Sequence, residues 1–392
     1  MSKLNIAMVA YTNYTTDPRV MREAETANSA GFNVDFFCLR KSEEKDCEDV
    51  RGVNVIRLKH SRYRGSSHKQ YLFSYIIFFF KCFIKISLQH FRKKYKIIHV
   101  NNMPDFLVFC TIVPKLFGAK IILDIHDPMG ITFSNKFKTG TKSVMQRILL
   151  WQERASAWYS NHVITVSEIL KREVLIANGL DPQKITVVEN FPKDEQFNLI
   201  EDYVVGEKIK LVYHGTIAER YGIQNVLKTL SLLSCKDQFF FQIIGDGDFS
   251  ADIKKIIEEL NLTGIVNFDN HHYPVNELRK KLSGFNIGIV SFTASPALEY
   301  MSFTKLMEYI ALGFPVVTLS NAVIKYHLRE QDCFFYDPRD LSTLGKRLTE
   351  IANNKEMLYV ARERIISIRN KFLWSNEGKK YVTVLNSLLI KK

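Results

Sequence analysis

The segment from Ser302 to Thr318 reads S-F-T-K-L-M-E-Y-I-A-L-G-F-P-V-V-T and predicts a helix followed by a buried strand. The hydroxyl of Ser302 can cap the start of the helix, and Gly313 suits the left-handed residue just beyond its end. The proline two residues later prevents the helix from continuing. Lys305 and Glu308 then lie about one turn apart on the same helix face.

This pair of charges has two interpretations. The first is a surface ion pair on a capped amphipathic helix. The second is a ligand site, because a helix N-terminus with a lysine can hold a phosphate and a carboxylate one turn later can accept ribose hydroxyls. The helix alone does not choose between them.

The length of the chain favours two domains, because 392 residues exceed the size at which one hydrophobic core stops growing. The six cysteines are scattered without a C-x-x-C pair, which favours a reducing compartment and argues against zinc or a disulfide framework. The apolar start of the chain resembles a first strand rather than a signal peptide. We expect no segment with the uninterrupted apolar length of a membrane span.

The formal net charge of +13 is concentrated in residues 50–104, which contain twelve Lys or Arg and no Asp or Glu. Within it, residues 71–92 have the period of a mostly apolar helix with a narrow polar stripe. A crossover helix packed on a sheet with a solvated basic edge and an interfacial helix on an anionic membrane both fit. Nucleic acid is disfavoured because the aromatics are not interleaved with arginine. We expect the apolar side to cover a sheet and the basic edge to meet an anionic membrane surface.

Short β-branched runs alternate with helical patterns along nearly the whole chain, which is typical of parallel α/β sheets. A polar, acidic stretch at 192–208 is the best linker. We predict a first Rossmann-like domain at 1–195 and a second Rossmann-like domain at 205–370. A C-terminal helix at 371–392 is expected to cross back and pack on the first domain.

Five motifs follow one another in a specific order. They are D-P-R-V-M-R-E-A at 17–24, D-I-H-D at 124–127, Y-H-G-T at 213–216, G-D-G-D at 245–248 and the helix described above. Their order resembles the GT-B glycosyltransferases, specifically the large retaining family 4 of bacterial polysaccharide and lipid glycosylation. The resemblance implies two doubly wound α/β domains that face each other across a cleft. It also implies that the domain at 1–195 is on the acceptor side and that the domain at 205–370 binds the nucleotide-sugar.

In the first domain, the resemblance places His126 in contact with the donor sugar or the reacting centre. Asp127 is a weaker candidate for orienting the acceptor. The alternative for His126 is a turn histidine bonded to backbone. His99 and Asn101, at the end of the preceding strand, are candidates for holding sugar hydroxyls.

The first motif has two interpretations as well. By the resemblance, Arg19 contacts an anionic donor or acceptor. Alternatively, Asp17 caps the helix, Pro18 occupies its first turn, and the arginines lie on the surface.

In the second domain, Gly215 and Thr216 match a strand, glycine and loop at the donor site. The family usually carries an arginine where this chain has Thr216 and a lysine where it has Tyr221. Arg220 is one position away and is a candidate to supply the missing charge.

The small residues around Gly245 and Asp246 are expected to let the backbone approach the nucleotide base. The Asp-x-Asp triplet also resembles the metal site of another glycosyltransferase fold, but its position in a second Rossmann-like unit argues against that. By the resemblance, Glu308 binds the ribose and Lys305 lies near the diphosphate. The first glutamate of the usual family pair falls on Tyr300.

The resemblance implies a retaining hexosyltransferase that moves a sugar from a nucleotide-sugar to a lipid-linked or polysaccharide acceptor. The leaving diphosphate would be stabilised by Arg220, Lys305 and the positive end of the helix, without a metal or other cofactor. We expect a cytoplasmic protein peripheral to the inner face of the cell membrane. A nucleotide-sugar epimerase of the same fold and a non-catalytic scaffold protein are the alternatives.

Overall fold

The computed structural model describes residues 3–61, 63, 67–130 and 144–390. The chain forms two compact units. Unit 1 comprises Met1–Glu189 together with Glu377–Lys392, and unit 2 comprises Asn190–Asn376.

Unit 1 is built on an eight-stranded sheet of order β3-β4-β2-β1-β5-β6-β7-β8, in which only the β3–β4 pair is antiparallel. The central strands are buried along their length, as expected for a parallel sheet covered on both faces. Its strands are β1 (Asn5–Val9), β2 (Asn33–Leu39), β3 (Cys47–Val50), β4 (Val53–Leu58), β5 (Ile97–Asn101), β6 (Lys120–Ile125), β7 (His162–Thr165) and β8 (Ile185–Val187).

The helices of unit 1 connect these strands. They are α1 (Pro18–Ser29), α2 (His68–Lys93), α3 (Ile112–Leu116) and α4 (Val144–Tyr159). The single helix predicted before β6 is a 3-10 helix, Asp105–Thr111, followed by the short α3, and the one after β7 is a π-helix, Leu170–Ile176. Antiparallel β3 was not predicted, because its sequence C-E-D-V lacks a β-branched run.

Unit 2 has a six-stranded, fully parallel sheet of order β11-β10-β9-β12-β13-β14. Its strands are β9 (Ile209–His214), β10 (Phe239–Ile244), β11 (Val266–Asp269), β12 (Ile287–Val290), β13 (Val316–Leu319) and β14 (Phe334–Tyr336). Its helices are α5 (Ile223–Leu232), α6 (Ser250–Glu259), α7 (Val275–Leu282), α8 (Thr304–Leu312), α9 (Ala322–His327), α10 (Ser342–Asn353) and α11 (Glu356–Ile368). The last helix, α12 (Trp374–Ser387), belongs to unit 1 from Glu377 onward.

Three expectations need correction. The helix predicted from Ser302 begins at Thr304, with Phe303 at its N-cap position and no side-chain cap. The predicted linker is packed in its first part, since Phe197 and Ile200 are buried in the core of unit 2. An aromatic and an aliphatic residue within a polar stretch are enough to anchor it to that core.

The third correction concerns α2. Residues Lys69–Lys93 are long and apolar enough, by length and composition alone, to cross a membrane, so the expectation that no segment reaches this length is wrong. One side of α2 nevertheless packs on the sheet as predicted, through Phe78, Cys82 and Ile86. The opposite side is exposed.

Candidate active site

The ends of strands β9 and β10 bring the second-domain motifs together. The strands are adjacent and parallel, so the loops that follow them meet at one edge of the sheet. Gly245 has φ +145°, and a Cβ there would lie 1.9 Å from the carbonyl oxygen of Gly215. Only glycine is tolerated at Gly245, because the backbone of the neighbouring loop fills the space of a side chain.

Lys305, on the first turn of α8, is the buried cation of this edge. Its Nζ lies 3.6 Å from the ring centroid of Tyr213 and 4.9 Å from that of Tyr221. A Cβ on Gly215 would approach Nζ to 3.4 Å, so the ammonium points at the loop after β9. Among the described residues none hydrogen-bonds this ammonium. Burial lowers the pKa of Lys305 to about 7, with Glu308 acting in the opposite direction.

Glu308 does not form the surface ion pair with Lys305, because its carboxylate is held from another side. His214, the last residue of β9, donates from Nε2 to Oε2 of Glu308 at 2.7 Å. Nδ1 of the same imidazole lies 2.9 Å from the hydroxyl of Tyr309. The surface interpretation of the charged pair is therefore wrong: Lys305 is buried and Glu308 is oriented by a histidine.

The remaining second-domain candidates are exposed. Thr216 and Asp246 lie on the loops after β9 and β10, and the guanidinium of Arg220 lies 5.0 Å from the ring centroid of Tyr221. The Tyr221 ring thus lies close to both cations, since the Nζ of Lys305 is 4.9 Å from the same centroid. Of the two residues at positions where the family usually carries a cation, Tyr221 lies close to two other cations, and Thr216 is exposed on the loop after β9.

In unit 1 the predicted residues form a buried ionic cluster. Asn101 and Asp124 are paired in register on β5 and β6. Arg19, on α1, donates from Nε to Asp124 at 2.7 Å, and its guanidinium lies 3.1 Å from Glu23. Burial raises the pKa of Asp124, but the Arg19 charge and the hydrogen bonds outweigh this and hold it well below its usual range.

Arg19 is therefore not one of the surface arginines of the alternative interpretation, although Asp17 does cap α1 through a bond from Val20 N and Pro18 occupies its first turn. Its guanidinium already faces two carboxylates. Contact with an anionic substrate stays a prediction for Arg19.

His99 and Asn101 are fully buried. His99 Nδ1 lies 2.9 Å from the hydroxyl of Tyr381 on α12, and burial lowers the pKa of the imidazole to about 4. The amide of Asn101, with its nitrogen toward the carboxylates, donates to Asp124 at 3.0 Å. Sugar contacts by these two residues stay predictions, since the contacts in the structure are to protein groups.

His126 lies at the surface end of the cluster, about one quarter exposed, with Nδ1 3.6 Å from Asp124. Burial lowers the pKa of His126, but the neighbouring Asp124 more than offsets this and raises it to about 9. The imidazole is thus a cation at neutral pH. Asp127, next to it, is exposed.

Glu23, His99 and Asp124 bring ligand-type atoms within 4.8 Å of one another. The guanidinium of Arg19 already supplies positive charge to both carboxylates of this group. The three residues therefore have the chemistry of a structural ion cluster, because a metal ion bound to them would have to coexist with the positive charge of Arg19. That no metal is needed stays a prediction.

Comparison with protein families gives two adjoining matches. Residues 19–196 match the model described as Glycosyltransferase Family 4, and residues 196–367 match Glycosyl transferases group 1. The chain belongs to the family 4, group 1 glycosyltransferases. A search of curated proteins gives no significant match for this glycosyltransferase.

Solved structures share the GT-B fold with this transferase. Sucrose-phosphate synthase from Thermosynechococcus elongatus has a TM-score of 0.76 at 16% identity, over 99% of each chain. Anabaena HepE in complex with UDP and glucose has 0.74 at 12%, over 98% of this chain and 100% of the other. WaaG, a glycosyltransferase involved in lipopolysaccharide biosynthesis, has 0.66 at 14%, over 97% and 99%.

Two residues of the transferase were not singled out from the sequence. His214 lies within the Y-H-G-T motif, and only its position as the last strand residue, where polar side chains line ligand edges, signals a role. Asn102 accepts from the backbone N–H of His126 at 3.2 Å and donates to the carbonyl of Asp127 at 2.8 Å, so it shapes the turn that carries both. Nothing local in the sequence indicates this contact.

Proposed function

We propose that this glycosyltransferase moves a hexosyl group from a nucleotide-sugar to a lipid-linked or polysaccharide acceptor, with retention of configuration and without a metal ion. Its location is proposed to be the cytoplasmic face of the cell membrane. The observation that carries the donor assignment is Lys305, a buried ammonium at the end of β9 without a hydrogen-bonding partner in the described chain.

A diphosphate supplies what this ammonium lacks. A buried cation is costly unless it is paired, and phosphate oxygens are strong acceptors for charged donors. Helix α8 adds its positive N-terminal end, where the N-cap residue Phe303 makes no side-chain cap to the backbone N–H groups. Arg220 is exposed beside Tyr221, whose ring Lys305 also approaches, and it adds a second positive charge.

Glu308 is the proposed ribose ligand. His214 holds one carboxylate oxygen, which fixes the orientation of the group, and no described residue hydrogen-bonds the other oxygen. A carboxylate held in this way accepts hydrogen bonds from vicinal hydroxyls without losing side-chain freedom on binding.

The solved structures support a nucleotide-sugar donor and a glycan acceptor. The Anabaena protein HepE was solved with UDP and with UDP-glucose, and WaaG acts in lipopolysaccharide biosynthesis. The acceptor class and the linkage are proposals for this chain.

The proposed transfer breaks the bond between the anomeric carbon and the diphosphate oxygen and forms a bond to the acceptor oxygen on the same face of the sugar. The acceptor proton moves to a phosphate oxygen, so no carboxylate nucleophile is required. Lys305 and Arg220 stabilise the negative charge that develops on the departing diphosphate. His126, a cation at neutral pH, is the proposed contact of unit 1 with the sugar or the reacting centre.

The test is to incubate purified protein with UDP- and GDP-linked hexoses and membrane extracts, with and without EDTA. Transfer that resists EDTA and gives a product with the donor's anomeric configuration by NMR is expected. The Lys305→Met variant, which removes the charge at this position, should lose turnover. A converted nucleotide-sugar without acceptor would identify an isomerase, and neither turnover nor nucleotide binding across the panel would refute the proposal.

A further inference from the structure

One face of unit 1 exposes most of the large hydrophobic side chains that are accessible in the described chain. The face is formed by α2, by α3 with the residue after it, and by α4. The exposed side chains are Leu72, Phe73, Ile76, Phe80, Ile84, Leu88 and Phe91 on α2, Ile112, Leu116 and Phe117 at α3, and Val144, Met145, Ile148, Trp151 and Trp158 on α4. We call this set the apolar face.

These three elements are neighbours on one side of the sheet. Phe79 of α2 contacts Phe106 of the 3-10 segment before α3, with ring centroids 6.0 Å apart. Phe109 of the same segment contacts Tyr159 of α4, with centroids 5.0 Å apart. Helices α2 and α4 therefore both pack against the 3-10 segment, and the three elements form one continuous layer on this side of the sheet. On the other side of the sheet, α1 exposes no large hydrophobic residue.

The arrangement along α2 is that of a helix with two apolar sides. Residues four apart, including Phe78, Cys82 and Ile86, are buried on the sheet, and residues two positions after them point the opposite way. Phe80 and Ile84 on that opposite side are 56% and 57% exposed. A helix with apolar residues on two opposite sides needs a partner on both of them, and the described chain supplies only one.

The exposed charges on the helices that form the apolar face have one sign. Helix α2 contains no acidic residue, and Asp105 and Glu153, the acidic residues of the 3-10 segment and of α4, are buried. The exposed charged side chains of the two long helices are all cations, at Lys69, Lys85, Arg92, Arg147 and Arg154. A surface that combines exposed aromatics with cations and lacks exposed carboxylates is complementary to an anionic lipid headgroup layer.

Packing decides between crossing a membrane and lying on it. If α2 crossed the bilayer, the side chains it buries and the sheet face beneath them would be left uncovered. A parallel sheet is stable only with both faces covered. Ser74 also ties α2 to the end of β1 through a 2.6 Å hydrogen bond with Tyr11. The helix therefore stays on the sheet, and only its outer side is available to lipid.

We propose that the apolar face inserts into the headgroup and upper acyl region of an anionic phospholipid bilayer, with α2 and α4 in the membrane plane. The inference deepens the proposed function and rests on it for the membrane location of the acceptor. It goes beyond electrostatic attraction by the Lys and Arg residues of 50–104, because it requires apolar contact with lipid.

The chain carries its own probe for this contact. It has three tryptophans, and Trp151 and Trp158 are 70% and 81% exposed on α4, whereas Trp374 of unit 2 is buried. Vesicles of equal parts phosphatidylcholine and phosphatidylglycerol should shift the fluorescence of the full-length protein to shorter wavelength. Brominated acyl chains should quench it, and Trp374→Phe should leave both effects intact.

Serine substitution tests the apolar contribution. Phe73→Ser/Phe80→Ser/Ile84→Ser should lower vesicle partitioning by at least about tenfold, since each removed CH₂ contributes on the order of 0.8 kcal/mol when fully buried in lipid. The matched control is Leu232→Ser, which removes a side chain that is 85% exposed in unit 2 and should bind like wild type. Molar sodium chloride should weaken binding without abolishing it, because salt screens charges but not apolar contacts.

Several outcomes overturn the proposal. Three concern lipid: a tryptophan spectrum that vesicles do not shift, a triple-serine variant that partitions as well as the wild type, and complete loss of vesicle binding in high salt. The fourth is a wild-type dimer without lipid, seen by analytical ultracentrifugation, together with a monomeric triple-serine variant. The last result would assign the face to a second copy of the chain. Calorimetric binding of UDP-glucose by the same variants is measured separately, so failure of lipid binding with intact nucleotide binding leaves the proposed donor site standing.

Discussion

Binding of a nucleotide-sugar by unit 2 should weaken as the pH rises through neutrality, because Lys305 loses its proton in that range. Burial lowers the pKa of this ammonium to about 7 in the free protein. The groups that face it are the rings of Tyr213 and Tyr221, with Glu308 on its own helix acting to raise the pKa. A bound diphosphate favours the charged form, so its binding is linked to proton uptake.

The magnitude follows from the charged fraction. One unit below a pKa of about 7, roughly nine-tenths of Lys305 is protonated, and one unit above it roughly one-tenth is. If only the protonated form binds the diphosphate, the apparent Kd increases about tenfold between about pH 6 and pH 8, or about 1.4 kcal/mol. Each phosphate of a nucleotide-sugar is bonded on two sides, once through an ester and once through the shared anhydride oxygen, so neither has the ionisation near pH 6 of a terminal phosphate.

The stability of the free protein should change in the opposite direction. Between about pH 7 and the ordinary lysine value of 10.5, the unfolded chain holds a proton on Lys305 that the folded chain has lost. The free energy of unfolding therefore gains a contribution that rises with pH in this window. Opposite pH trends in affinity and in ligand-free stability distinguish Lys305 from general damage to the protein.

Isothermal titration calorimetry with UDP-glucose, in buffers of different ionisation enthalpy, measures both the affinity and the protons taken up. Lys305→Met is the control and should bind more weakly, with an affinity that does not vary over this pH range. A flat wild-type affinity, or the same pH dependence in Lys305→Met, would show that Lys305 is not the group that meets the diphosphate.

Three further predictions concern single positions. Glu308→Ala should weaken nucleotide binding by about 1.5–3 kcal/mol without unfolding the chain; an unchanged calorimetric affinity would remove its assigned role. Asp124→Asn should lower the free energy of unfolding by about 3–5 kcal/mol in urea titrations, because it leaves the Arg19 charge buried without its closest partner; a loss below about 1 kcal/mol would contradict this. Gly245→Ala should destabilise the protein by about 3 kcal/mol or more, since its Cβ meets a backbone oxygen, whereas Gly264→Ala has open space and serves as the control; equal melting temperatures would refute the steric argument.

Sequence patterns were sufficient for the parallel sheets and for most helices. The alternation of β-branched runs with helical periods depends on local spacing, which is visible in a single chain. The end of α8 at Gly313 was predicted for the same reason, because a left-handed residue after a helix is a local requirement. Its start was predicted two residues early, at Ser302, where a hydroxyl is present but makes no cap.

The site was only partly predictable. Motif order identified Lys305 and Glu308, but not that the pair is separated, with the ammonium among tyrosine rings and the carboxylate bonded to His214. These contacts join α8 to strand β9, about ninety residues earlier in the chain. In unit 1, the closest charged partner of Arg19 is Asp124, which likewise comes from a strand more than a hundred residues away.

The sequence by itself determined the α/β class, the two βα series and the basic, apolar character of α2, because composition and period are properties of neighbouring residues. Tertiary structure decided which side of α2 is covered by the sheet and which side is left exposed. It also decided that the Ser302–Thr318 segment presents a buried cation rather than a surface ion pair. Burial and charge pairing depend on elements distant in sequence, and so they exist only once the chain has folded.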